Sequence, residues 1–543
     1  MIINIKNTKD FIYTLSISLI YSTLIFYNNI GDVSEYLLIL YSLLFIGGSL
    51  YIASNIESKN EDYFLPRLIK NILFGLVLAW VIYPSIITEI AGILLGFRIA
   101  SKKKSDENNF SFQKYAWLQF KKNKIALFSL YLLFLLILIA RFSPFIANSQ
   151  PLYAVYKGVT MYPAFEDKNT TVEIVDPNTG ELEKIQYDIT DWRKMNLDKV
   201  IFAPIPYSPD FLDKENNDYV SPTGNQVFTN YNGKTINAPK KFRHHLGTDG
   251  KGVDLFSGLI HGTRIAMKVG LISMGIASFL GILLGSLAGY FGDRDLKMRR
   301  IKYYMTILGL FFGLFYGFGW RMYAIQEGFS QSNLQGVVEF LISALFIIGI
   351  IFTFRFISKF ISIKWFTQEV TVPVDSIISR GIELLNSIPR LILIITVTAV
   401  MERSLTIIMV IIGVTGWTRI ARFTRAELLR VKSLEFIQAS KSLGFSSTRT
   451  IFKHALPNAL APVFVSIAFG IASAILIESG LSFLGIGVPD DVVTWGSLLN
   501  LGRGNIEAWW LILFPGIAIF LTITIYNMIA EASRDALDPR LKS

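Results

Sequence analysis

The sequence predicts an all-α polytopic membrane protein carrying a small extracytoplasmic domain that is β-rich or mixed. Three observations carry this. Over half of the 543 residues are hydrophobic and only 17% are charged, too few charges for a soluble chain of this length. Several apolar runs approach or exceed the roughly 20 residues that cross a bilayer. Between two of them lies a polar stretch, 147–263, rich in Asn, Asp, Pro, Tyr and Gly. The net charge of +11 is then largely topological and does not point to nucleic acid. With no cysteine, disulfides, thiol catalysis and thiolate metal sites are excluded.

Taken in order, residues 1–100 hold three apolar segments, near 11–27, 36–54 and 71–97. The first lacks a small-residue cleavage site after Tyr27 and reads as an anchor. Lys6 and Lys9 favour an inside N-terminus, and Asp32 and Glu35 an outside link. The third segment breaks this alternation, because the basic run from Lys102 to Lys124 also belongs inside. Two solutions stand: a re-entrant pair turning at Pro84, or an outside N-terminus.

Residues 101–146 form a basic inside flank and a span at 125–146 running outward. The segment 147–263 follows, with turn signals at Asp176–Gly180, Pro222–Asn225 and Asn232-Gly233 between short strands. The next span, within 264–293, carries Ser273, Ala277, Gly281, Gly285 and Gly289 at every fourth position, a stripe that lets another helix approach closely. A hydrophobic hairpin lies in 294–372, its spans near 303–320 and 335–354, flanked inside by basic residues. Further spans are expected near 384–400, 403–416, 461–480 and 508–530, within 373–535, and Pro389 is expected to kink the first of them. Residues 536–543 are a short polar tail.

The stretch 417–457 is the longest basic segment of this half. Arg419, Arg422, Arg425, Arg430, Lys432, Lys441, Arg449 and Lys453 face only Glu427 and Glu435, eight minus two, or +6. It therefore reads as a cytoplasmic loop. Leu434, Ile437, Ala439 and Leu443 give an amphipathic helix, Gly444 ends it, Ser446 or Ser447 caps the next one, and Pro457 ends or kinks that. Such a helix either rests on the lipid headgroups or docks a cytoplasmic partner.

Gly247–Gly252 lacks the Gly-Lys-Ser/Thr ending of a phosphate loop and reads as a turn. His244, His245 and His261 lie near Asp249 and Asp254 but without ligand spacing on a regular element, so no metal site is assigned. No catalytic constellation stands in a span, and no cofactor is expected. Glu478, in an apolar run, is a candidate pathway or outer-gate residue, as are Asp249 and Asp254; a hydrogen-bonded structural role is the competing reading for Glu478.

These residues resemble the C-type permease subunit of binding-protein-dependent ABC importers for dipeptides, oligopeptides and nickel. The family's cytoplasmic signature, Glu-Ala-Ala, three residues, Gly, nine residues, Ile-x-Leu-Pro, is similar to Gln438-Ala439-Ser440, Gly444 and His454-Ala455-Leu456-Pro457, with its spacing intact. Flanking matches include Arg425-Ala426-Glu427, Glu478–Gly485, Trp495-Gly496, Phe514-Pro515-Gly516 and Arg534–Arg540. The resemblance covers about 117–148, 244–292 and 374–541. It implies a six-span importer core with extra N-terminal spans and an inserted two-helix hairpin. It further implies a bacterial inner-membrane location and ATPase coupling through Glu435, Gln438, Ala439, Ser440, Gly444, Leu456 and Pro457. The implied partners are a second permease subunit, two cytoplasmic ATPase subunits that hydrolyse the ATP, an extracytoplasmic solute-binding protein and membrane lipid. The sequence departs from the pattern at Gln438, where the signature has Glu, and at Val253 and Gly258, where Arg is usual. Residues 1–100, 149–243 and 300–365 have no counterpart in the usual subunit. A membrane scaffold or sensor that retained the docking loop is the alternative function.

Overall fold

The computed structural model describes residues 112–537 apart from 168, 176–181, 332, 362 and 402. The expectations for 1–100, and those for 101–111 and beyond 537, lie outside the described residues. The described chain forms two compact units, one of 142–261 and one of 112–141 with 262–537.

Two helices lead in. α1 (Phe112–Lys122) and α2 (Lys124–Ile146) are separated at Asn123, whose side-chain oxygen accepts the Ala126 N–H at 3.1 Å. The 23 residues of α2 rise about 35 Å, enough for the hydrocarbon core of a bilayer.

The 142–261 unit is built of short antiparallel strands, as its turn residues predict. β1 (Tyr153–Tyr156) and β2 (Val159–Met161) join through Lys157 and Gly158, both at positive φ (48° and 79°), the conformation a tight hairpin with right-handed twist requires. β3 (Thr171–Val175) pairs with β4 (Leu182–Gln186), and β5 (Lys199–Ile201) joins the free side of β1, giving the order β2-β1-β5. β6 (Val227–Thr229) and β7 (Thr235–Asn237) turn at Asn232-Gly233, where Gly233 donates to the Asn230 carbonyl at 2.9 Å. Ala154, Met161, Ile174, Ile185, Tyr187 and Trp192 form the core of this unit. The Asp176–Gly180 turn signal lies outside the described residues.

The second unit is helical. α3 (Leu255–Phe291) enters it and is followed by β8 (Lys297–Arg299) and α4 (Arg300–Leu314). α4 runs on through a π-helical segment to Trp320. The short link between the two hairpin spans is helical, α5 (Met322–Gln331), and α6 (Asn333–Ile357) completes the hairpin. β9 (Glu369–Thr371) pairs antiparallel with β8, so the two ends of the insertion meet in a ribbon. Around it the core chain closes directly: the Asp375 N–H reaches the Gly292 carbonyl at 3.2 Å and Ser376 bonds Asp293 through both its N–H and its hydroxyl.

The span expected at 384–400 is instead two helices, α7 (Val374–Ser387) and α8 (Arg390–Val400), bent by 78° across Pro389. Proline removes a helical N–H and the residue before it disfavours the α conformation, which accounts for a break rather than a gentle kink. α9 (Leu405–Lys432) is longer than expected. Residues 417–432 are therefore helix and not loop, with Trp417, Ile420, Ala421, Thr424 and Leu428 buried along one side. α10 (Glu435–Ser442) fills the shortened loop. α11 (Leu456–Phe483), α12 (Trp495–Arg503) and α13 (Trp510–Leu537) complete the chain. Pro457 neither ends nor breaks a helix: it sits in the first turn of α11, where the π-helical segment Thr450–Ala455 hands over to it. Among the described residues, seven helices are long and apolar enough to cross a membrane, or eight crossings if the bent α7–α8 pair counts as one.

The small-residue stripe on α3 faces α9. Ser273 donates to the Met409 carbonyl at 2.9 Å. A Cβ on Gly281 would meet Ile420 at 2.6 Å, on Gly285 the Ala421 carbonyl oxygen at 2.5 Å, and on Gly289 the Arg425 carbonyl oxygen at 2.8 Å. Ala277 lies against Gly416 in the same row. A second stripe of this kind, Gly309, Gly313 and Gly317, joins α4 and its continuation to Ile347 and Ile351 of α6.

Candidate functional site

The basic loop after α9 is a docked helix with one face left open. α10 starts without a side-chain cap and ends in a complete Schellman motif: the Phe445 N–H bonds the Ser440 carbonyl at 3.2 Å and the Gly444 N–H bonds that of Lys441 at 3.0 Å. Gly444 has φ +75°, a conformation that costs an L side chain about 1–2 kcal/mol. Ser446 then accepts the Arg449 N–H and caps the next turn.

Ile437 is fully buried, in a cluster with Leu428 and Val431 of α9 and Ala455 and Ala459 beside and on α11. Ser440 is buried beside it, its hydroxyl donating to the Phe436 carbonyl at 2.8 Å. Glu435, Gln438 and Ala439 are exposed, and Gln438 donates to the Ser433 carbonyl at 3.2 Å. Leu456 is buried and Pro457 exposed. The periodicity placed Leu434, Ile437, Ala439 and Leu443 on one apolar face; the structure turns only Ile437 of these inward. Leu443 is 73% exposed and Phe436, which the sequence reading passed over, 43%. Leu434, Phe436 and Leu443 are thus large apolar side chains left exposed on one short basic loop.

The loop is anchored to its neighbours by charge. Lys432 donates to the Tyr290 carbonyl at 2.7 Å and pairs with Asp295 at 2.6 Å, while Lys441 stands 5.2 Å over the Tyr290 ring. Arg425 makes a two-pronged pair with Asp375 at the start of α7. The end of α3, the end of α9 and the start of α7 are thereby tied together around the base of α10.

The other sequence-selected groups are enclosed. Glu478 is 1% exposed, accepting from Ser482 at 2.6 Å and lying close to Ser479, where Gly496 lets α12 press onto the α11 backbone. In the 142–261 unit, Asp249 accepts the N–H groups of Lys251 and Val253, both at 2.8 Å, shaping the turn that Gly247–Gly252 forms. A Cβ on Gly252 would strike the Asp213 carbonyl oxygen at 2.1 Å, so this glycine is required by close approach. Asp254 accepts the Ser257 N–H at the start of α3 and bonds His244 at 2.8 Å. All three carboxylates hold local structure and none stands open.

His244 is the centre of a cluster that sequence reasoning missed. Its other ring nitrogen reaches Asp213 at 3.1 Å, its ring stacks on Tyr207 at 4.0 Å, and Arg193 lies over Tyr207 and Phe211 while gripping Asp191 with two bonds of 2.9 Å. His245 is exposed and His261 bonds the Ala147 carbonyl, so the three histidines do not converge. Among the described residues no group of His, Asp and Glu could hold a metal. Only the short spacing Asp191-Trp192-Arg193 hinted at a local pair. Arg390 was also missed. It follows Pro389 and donates to the Ile412 carbonyl at 2.7 Å, in space that Gly416 leaves free.

Residues 369–543 match the family of binding-protein-dependent transport system inner membrane components, and 111–162 match the N-terminal TM domain of oligopeptide transport permease C. Peptide transport system permease proteins of three Brucella species are 39% identical over 169 residues, 31% of this chain and 57% of each relative. The chain thus spans little more than half the length of these relatives. The dipeptide transport system permease protein DppC of Bacillus subtilis is 28% identical over 308 residues, 56% of this chain and 72% of its own. The inner membrane ABC transporter permease protein YejE of Escherichia coli is 25% identical over 429 residues, 78% of this chain and 96% of its own. This last match is longer than the three motif-bearing segments together, so part of the chain between them has a counterpart there. The family match thus covers the C-terminal third of the chain, and the permease C match the segment around α2. The Brucella and Bacillus relatives carry names of peptide-system permeases, and with its apolar helices the chain is a multi-pass protein of the bacterial inner membrane.

Proposed function

We propose that this chain is a permease subunit of an ATP-driven importer, forming half of a translocation path for peptides or a similar small solute. A second permease subunit completes the path, an extracytoplasmic binding protein delivers the solute, and two cytoplasmic ATPase subunits carry out hydrolysis. The observation that carries this reading is α10: buried through Ile437 and Ser440, closed by Gly444, and open through Glu435, Phe436, Gln438, Ala439 and Leu443. Ile437 fixes the helix to α9 and α11, so a force on its open face moves both together. Leu456 and Pro457 set the start of α11 behind it. Nucleotide-driven closure of the ATPases then shifts two packed helices as a body, the kind of rigid coupling that alternates access. Glu478, Asp249 and Asp254 serve as positioning groups that stiffen the chain at 478–496 and at the entry to α3.

The test is co-purification with the other subunits of the system. Leu443→Asp places a charge at the C-terminal end of the open face without touching the buried Ile437 and Ser440. We expect the variant to insert normally and to lose at least about tenfold of its ATPase association, as for loss of an interface anchor. Full association and uptake in L443D would refute the docking role.

A further inference from the structure

A concave, uncompensated cluster of cations lies where the inserted hairpin meets its ribbon. A cavity of about 290 Å³ is lined by Lys297 and Arg299 of β8, Lys302 of α4, and Arg355 and Lys359 at the end of α6, with Met298, Ile301 and Ser358 among them. Ile301 is 4% exposed and forms a firm apolar floor; the Ser358 hydroxyl is committed to the Arg355 carbonyl. No carboxylate lines the cavity. Among the described residues none of the five cations is ion-paired: Asp295 is engaged by Lys432, and Glu369 stands opposite Arg299 in the ladder without bonding it.

We infer that this cavity binds the phosphate of an anionic membrane lipid headgroup. Basic flanks that only orient a span need no shared concavity, whereas five like charges converging on one are mutually repulsive until an anion occupies it. The volume sits near the lower bound of small-molecule pockets, about 300 Å³, which suits a glycerophosphate head better than a nucleotide. Its surroundings are amphiphilic. Phe356, Phe360 and Trp365 are exposed beside it, Lys359 stands over Phe356 and Arg300 lies 4.3 Å over Trp365. Exposed aromatics next to cations at helix ends mark the bilayer boundary, where a lipid presents phosphate and acyl chain together. The ribbon and Asp295 put this boundary on the side of the basic loop that Lys432 closes. The inference rests on this topology and not on the transport reading.

The experiment is lipid retention by the full-length protein, measured by native mass spectrometry after reconstitution in phosphatidylcholine vesicles with or without phosphatidylglycerol. The wild type should retain phosphatidylglycerol preferentially. K297Q/R299Q/R355Q should lose that preference by at least about tenfold, while Arg355→Lys alone preserves most of it. Unchanged preference in the triple variant, with wild-type elution on size exclusion, would overturn the site. Displacement of the retained lipid by millimolar inorganic phosphate would overturn its lipid character and leave a free-phosphate site.

Discussion

At the scale of single residues, the glycines of α3 and the His244 cluster carry the sharpest consequences. Gly285 stands 2.5 Å, measured from an added Cβ, from the Ala421 carbonyl oxygen, and backbone cannot step aside as a flexible side chain can. Gly285→Leu should therefore part α3 from α9 and cost about 1–3 kcal/mol or more, visible as a lowered unfolding midpoint of the purified protein. Gly275 on the same helix has nothing near its Cβ position, and G275A should be neutral by the same measurement. In the 142–261 unit, burial alone would lower the His244 pKa, but its bonds and charge interactions with Asp213 and Asp254 outweigh that and hold it above the ordinary value. Asp213 is likewise opposed by burial, yet His244 and Arg193 keep it well below the carboxylate range. The signs follow by linkage. The His244 contribution is complete below its unfolded value of about 6.5 and is lost as pH rises through the elevated folded value; that of Asp213 is present above about 3.9 and lost as pH falls further. Hydrogen exchange across 193–254 should show protection falling as pH rises past neutrality. His244→Asn should flatten this alkaline limb and lower stability by about 3 kcal/mol, since it strands two buried carboxylates beside Arg193 and Tyr207. A purely steric role for His244 would leave the pH slope of the variant unchanged.

At the scale of elements, the hairpin of α4 and α6 is closed at its base by its own ribbon. β8 and β9 join its ends, its two long helices pack on each other through Gly309, Gly313 and Gly317, and Gly292 and Asp293 bond directly to Asp375 and Ser376 outside the ribbon. Replacing 297–371 by a short Gly/Ser linker should give a protein that inserts and keeps α3–α9 packing, with an unfolding midpoint close to that of the parent; collapse of expression would show that the hairpin holds the core. The same element scale shows what could be read in advance. The α3 stripe, the turn at Asn232-Gly233 and the stop at Gly444 were legible because each depends on backbone geometry that few residues satisfy. The ribbon was not, because six residues of unremarkable sequence pair only once the hairpin has brought them together. The extent of α9 was missed for a related reason: Arg419, Arg422 and Arg425 suggested water, whereas the helix turns Ile420, Ala421 and Thr424 to α3 and sends the charged ends of its arginines elsewhere. The open face of α10 was misread because Leu443 fits the apolar period but, among the described residues, stands exposed and not packed.

At the scale of the whole molecule, the count of crossings is a constraint. The basic flank before α2 and the basic loop after α9 belong on the same side, which requires an even number of crossings between them. α2, α3, α4 and α6 make four, and α9 makes a fifth. The bent pair α7–α8 must then complete one crossing and cannot be a re-entrant loop that returns to its own side. The native chain has no cysteine, so single-cysteine labelling tests this without background. L443C should label only from the cytoplasmic side, and both N232C and M401C only from the opposite one. Cytoplasmic labelling of M401C would make α7–α8 re-entrant. One further consequence follows from the uninterrupted length of α9. Its 28 residues form a rod of about 42 Å from Ser404 to the docking loop, with Thr418 near the middle. A rod tilted by about 5° around its midpoint moves each end by about 2 Å in opposite directions, the size of shift that repacks a helix interface. Under the docking role proposed above, α9 would act as a lever pivoting where Ile420 and Ala421 meet the glycines of α3, so that a push at Phe436 and Leu443 would be carried, reversed in direction, to its opposite end.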